Sequence, residues 1–163
     1  MRKVISLFLG IVFCFLFVGC TQKEKAYVML NNTFVEAEGI KEVGKIAGFD
    51  INISEQLFDD SYEMESRAIP NKLIEIVYKG LDKWVIIRKS IYEGDDDVSG
   101  DYNEYPEIKE KNYKNGKVVY KGMEDKINLV TWKDGKYAYS INMNPGGIGF
   151  SYEEVKKIFS NIN

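Results

Sequence analysis

The chain has 163 residues with 22 Lys and Arg, 25 Asp and Glu, and no His, for a net charge of −3. This length fits one domain with a real core, and the acidic balance argues against a nucleic-acid partner, which needs a net basic face. Without His there is no Ser-His-Asp or Cys-His nucleophile system and no His-containing zinc site. The expected site carries no metal and no cofactor.

The first residues, Met1-Arg2-Lys3, precede an apolar run from Val4 to Val18 and then Gly19-Cys20. A basic stretch, an apolar core and a small residue before the cut read as a secretory signal over residues 1–19. Gly19-Cys20 resembles the lipobox of bacterial lipoproteins, with Phe17 where that motif usually has Leu. The resemblance implies cleavage before Cys20, a diacylglyceryl group on its thiol, and attachment to the cell membrane on the extracytoplasmic face. The competing reading is a permanent membrane helix, but the run of about 15 residues is short against the roughly 20 needed to span. Cleavage removes Arg2 and Lys3 and no acid, lowering the net charge by two further units. It also removes Cys14, so no disulfide can form beside a lipidated Cys20.

Residues 20–32 form the lipidated Cys and a polar tether, and residues 33–163 the extracytoplasmic domain. Thr33 and Glu36 have capping-box spacing, which predicts a helix over Phe34–Ala47 stopped by Gly48. Within it, Gly39 to Lys45 fits the first seven positions of a phosphate loop. Ile46 stands where Ser or Thr must hold magnesium and no strand precedes it, so the helix is the better reading.

Phe49–Ile53 alternates as a short strand, followed by strands over Tyr62–Ile69, Leu73–Tyr78 and Trp84–Lys89. A four-residue loop after Tyr78 would set Ile76 opposite Val85 and Ile74 opposite Ile87 on a core face. Glu75, Trp84, Ile86 and Arg88 would occupy the other. Glu93–Glu107 reads as a solvated surface loop. Asn115-Gly116 and Asp134-Gly135 then predict two hairpins, the second pairing Trp132 with Tyr137 and Val130 with Tyr139, on a face shared with Ile141. Ser151 and Glu154 form a second capping box before a closing helix over Tyr152–Ser160. The expected fold is α+β: a single curved antiparallel sheet of about six to eight strands, rich in hairpins, with one N-terminal and one C-terminal helix.

Four segments together resemble an uncharacterised extracytoplasmic domain of Gram-positive lipoproteins, found also after transmembrane helices in some anti-sigma-factor regulators. They are Ala47-Gly48-Phe49, Val85–Lys89, Ser99–Asn103, and the stretch from Val130-Thr131-Trp132 through Tyr137–Ser140 to the capped final helix. The resemblance implies a surface binding or sensing module and carries no catalytic residues.

Three local patterns bear on chemistry. Asp95, Asp97, Ser99, Gly100 and Asp101 match the first half of a calcium loop, but Pro106 takes the closing position that needs a bidentate Glu. Trp84, Tyr92, Tyr102 and Tyr105 are candidates for an aromatic platform that stacks a sugar or peptide, against ordinary strand packing. Only carboxylates remain for catalysis, as in glycosidases, and no sequence feature marks a pair. The expectation is a non-enzymatic, membrane-tethered module that binds an unknown envelope protein or ligand. The alternatives are a carboxylate hydrolase acting on envelope polymer or a calcium-stabilised structural domain.

Overall fold

The computed structural model describes residues 33–91, 97–114 and 116–162. The signal, Cys20 and the tether lie outside them. Among the described residues no helix is long and apolar enough to cross a membrane.

The core of the architecture is one antiparallel sheet of eight strands. In chain order the elements are β1 (Val35–Ala37), α1 (Ile40–Ala47), β2 (Glu63–Ile69), β3 (Leu73–Lys79), β4 (Trp84–Ile91), β5 (Glu107–Tyr113), β6 (Gly116–Met123), β7 (Lys126–Asp134), β8 (Tyr137–Met143) and α2 (Tyr152–Phe159). Their order across the sheet is β1-β2-β3-β4-β8-β7-β6-β5, so two meanders meet where β4 pairs with β8. β1 and β5 are the open edges. The fold is α+β.

Strand alternation sorts the side chains onto two faces. The inner face carries Ile74, Ile76, Tyr78, Val85, Ile87, Val130, Trp132, Tyr139, Ile141 and Met143, all buried. Val43 and Ala47 of α1, Val155 and Ile158 of α2, and the flanking Ile51, Ile53, Phe150 and Ile162 join them in one cluster. The Trp132 and Tyr139 rings stack at 4.8 Å, and Phe159 meets Trp132 edge-on at 4.8 Å. Both helices therefore serve the inner face.

The closing helix starts as its sequence dictates. Ser151 accepts from the Glu154 N–H, and the Glu154 carboxylate accepts from the Ser151 N–H, completing the capping box. The start of the domain differs from expectation. Val35–Ala37 is a strand paired with Ala68, Arg67 and Ser66, not helix, and the helix occupies only Ile40–Ala47 behind Gly39. The Thr33–Glu36 box does not form, because the edge of β2 offers this stretch ladder bonds that a short helix cannot match. Glu42 and Glu55 accept the Glu38 and Ile40 N–H groups instead.

Phe49–Ile53 is irregular and joins no strand ladder among the described residues, although its alternation survives as buried Ile51 and Ile53 beside exposed Asn52. The three expected registers are each displaced by two residues. Ile76 faces Ile87, and Ile74 faces Lys89. Trp132 faces Tyr139, and Val130 faces Ile141, around a Gly135-Lys136 loop. Tyr113 faces Gly116, which moves the first loop to Lys114-Asn115, with Asn115 outside the described residues. A slip of two keeps every side chain on its expected face, because the period is two. A third tight hairpin, Met123 to Lys126, turns through Glu124 and Asp125 at φ 54 and 57.

Candidate functional site: the outer face of the sheet

The opposite face of the sheet carries a polar layer. Glu75 of β3 sits directly between Arg67 of β2 and Arg88 of β4. Its carboxylate is fully buried, accepting from Arg67 Nε and from Arg88 Nε at 2.6 Å each, with Arg88 Nη2 in ion-pair contact at 2.6 Å. Both oxygens are taken, which is what makes a buried carboxylate tolerable. Phe34 covers the Arg67 guanidinium at 4.3 Å. Ser140 and Asn142 of β8 continue the layer, both buried.

Residues 97–105 form an irregular, largely exposed surface segment, as expected, and it lies against this face through Ser99, Asp101 and Tyr105. Arg88 fastens them, donating to the Ser99 carbonyl. Gly100 follows at φ 60, in the left-handed region that favours glycine, and lies close against the Arg88 guanidinium. The segment then satisfies its own N–H groups with side chains. Asp97 Oδ1 accepts from Ser99 N at 2.8 Å, Ser99 Oγ from Asp101 N at 3.1 Å, and Asp101 Oδ1 from Asn103 N at 2.9 Å.

Asp101 is the anchor. It also accepts from Asn103 Nδ2 at 2.7 Å, Tyr105 Oη at 2.7 Å and Asn142 Nδ2 at 3.3 Å. Burial pushes the Asp101 carboxyl up, but these donors together outweigh it and hold the group below its usual range. The Tyr105 hydroxyl is pushed up to about 12, first by burial and then by its bond to Asp101. Asp101 is therefore an ionised structural acceptor, and Tyr105 points inward as its donor. Among the described residues, the buried Ser140 Oγ and Asn142 Oδ1 meet no hydrogen-bond partner.

On either side of this segment the outer face is hollow. A cavity of about 660 Å³ opens beside Val98, over Val119, Thr131 and Ala138. On the other side one of about 340 Å³ lies between Ile86, Tyr102, Asn142 and Pro145. Past Pro145 the surface dips again, about 400 Å³, beside Trp84, Asn144 and Ile148. These last two adjoin at Pro145, which lines both. Trp84, at the second, is 49% exposed, Tyr102, at the first, is 96% exposed, and Ile148 is 77% exposed. Asn144, at φ 46, pins the Trp84 backbone from both sides, donating its N–H to the Trp84 carbonyl at 2.9 Å and accepting the Trp84 N–H at 2.6 Å.

Of the four aromatic candidates, the structure places Trp84 and Tyr102 on adjoining hollows that share Pro145 and turns Tyr105 inward, while Tyr92 lies outside the described residues. Of the calcium-loop residues, Asp95 also lies outside them. Asp97, Ser99 and Asp101 spend oxygens on the segment's own N–H groups. The Glu75–Arg67–Arg88 cluster and the Ser140–Asn142 pair escaped the sequence reading. The available signal was Glu75 itself, a lone charge inside Leu73-Ile74-Glu75-Ile76-Val77, which demands a cationic neighbour across the ladder.

No protein-family model matches the chain, and no curated protein or solved structure matches it.

Proposed function

We propose that this chain is a non-enzymatic binding module of the cell envelope, tethered to the membrane through lipid on Cys20. Its partner rests across the Trp84 and Tyr102 hollows on the outer face. The observation that carries the reading is the pair of exposed aromatic rings, Trp84 and Tyr102, on adjoining hollows of the outer face. Trp and Tyr supply large contact area at small entropic cost and suit stacking on a sugar ring or packing on a peptide. The buried Glu75–Arg88 pair beneath braces β4, which carries Trp84, and Arg88 fastens the segment that carries Tyr102. Carboxylate hydrolysis is the weaker reading, since it calls for one carboxyl raised toward neutrality. On this face Glu75 is occupied by two guanidiniums, and Asp101 is held low.

The test is a fluorescence titration of the full chain in nonionic detergent with cell-wall glycan fragments and with peptides. Trp84 and the buried Trp132 are its two tryptophans. A saturable change in emission that disappears in Trp84→Phe and weakens in Tyr102→Ala supports the site. Binding that persists unchanged in Trp84→Ala and Tyr102→Ala overturns it. Turnover of an envelope substrate that is lost on changing one Asp or Glu to its amide overturns the non-enzymatic reading.

A further inference from the structure

The inner face is also hollow near the β5 edge. There Lys109 and Lys111 of β5 stand beside Tyr120 of β6, and Tyr152 comes from the first turn of α2. These residues line a cavity of about 320 Å³, which Lys121 and Lys126 also line. Against these four lysines the lining holds two acids, Glu107 and Asp125. In a chain of net charge −3 this is a local reversal of sign.

The lysines are weakly committed. Lys109 lies 3.5 Å from Glu107 and 3.9 Å from Asp125, longer than a tight ion pair. Among the described residues no carboxylate lies within 4.0 Å of the ammonium groups of Lys111, Lys121 or Lys126. Lys111 instead donates to the Tyr152 hydroxyl at 2.5 Å, with its ammonium 4.0 Å from the centre of the Tyr152 ring and 5.7 Å from that of Tyr120. That bond raises the Lys111 ammonium above its ordinary range, so it stays charged. The Tyr152 oxygen accepts from Lys111 and keeps its own O–H to give. The cavity thus offers ammonium and phenol donors with an excess of positive charge.

We propose that this cavity is a second binding site, on the face opposite the aromatic hollows, that takes a compact phosphate-bearing anion. Lys111 and Lys109 supply the charge, and the Tyr152 hydroxyl supplies a donor. Its size lies at the small end of ligand sites, about 300–1,000 Å³. Lysine acts on phosphate as a point charge, which suits several ammonium groups converging on tetrahedral oxygens. The two tyrosine rings provide apolar walls for the carbon adjoining a phosphate ester. The same chemistry is offered by free phosphate and by the phosphodiester headgroup of a lipid.

The test is calorimetry on the full chain in nonionic detergent at low salt, with inorganic phosphate in one arm and glycerophosphoglycerol, a soluble headgroup diester, in the other. Saturable binding in either arm supports the site, and the tighter arm names the source. Lys111→Gln should weaken it about tenfold or more, as should Lys109→Gln, which serves if the first variant misfolds. Lys117→Gln removes the same charge outside the cavity and should leave binding unchanged. Absence of binding in both arms, or equal weakening by Lys117→Gln and Lys111→Gln, would overturn the proposal. A titration of the Trp84 ligand reports separately on the other face.

Discussion

Glu75→Gln is the sharpest probe of the outer face. The wild-type carboxylate accepts two charge-assisted hydrogen bonds, from Arg67 Nε and Arg88 Nε, and pairs with Arg88 Nη2 at 2.6 Å. Glutamine keeps one acceptor oxygen but turns an NH₂ group toward a guanidinium, so donor meets donor. Breaking a buried pair by removing one partner costs about 3–5 kcal/mol. Here the Arg67 side chain is 40% exposed and can rehydrate, whereas Arg88 is 17% exposed and cannot do so freely. The cost should therefore fall near the lower end, about 3 kcal/mol, a large share of the roughly 5–15 kcal/mol that holds a domain together. Urea unfolding followed by circular dichroism should show a lower midpoint with an unchanged slope. The variant Glu75→Gln/Arg88→Met should recover part of the loss, since the orphaned cation goes with its partner. A single-variant change below about 0.5 kcal/mol, the range of ordinary surface substitutions, would refute the idea that this cluster fixes the central strands.

Trp132 is buried between Tyr139 and Phe159, so Trp132→Ala should cost about 3–5 kcal/mol in the same assay, and a loss under about 1 kcal/mol would contradict the stacked core. Glu154 is held down to about 2, chiefly by Lys83 and then by Ser151. Its folded value lies below the unfolded one, so its contribution is complete above about pH 4.5 and fades as the pH falls toward about 2. Glu154→Gln should flatten that acid limb, and an unchanged pH profile would count against the cap. Expressed in its host, the wild-type chain should yield a lipidated Cys20 N-terminus by mass spectrometry and Cys20→Ser should not; unlipidated wild-type protein that keeps Met1 would refute the anchor.

The sequence by itself determined which side of β3, β4, β7 and β8 faces the core. Ile74, Ile76, Val85 and Ile87 alternate with polar or surface positions, and a period of two assigns them whatever the register. It also determined the start of α2, because a capping box is closed within four residues. Tertiary structure decided the rest. The three registers moved by two because a hairpin's local signal fixes where a chain turns only to within a residue on either side. Packing against both neighbours then chose the pairing. Val35–Ala37 became a strand because β2 lay beside it, a fact no local propensity contains. Glu75 gained two arginines from opposite neighbours, and Lys111 met Tyr152 from forty-one positions away, only once the sheet had assembled. Local bonds follow from neighbours in sequence, but buried charges and surface sites are made by strands and helices that meet late in the chain, and their partners exist only in the folded sheet.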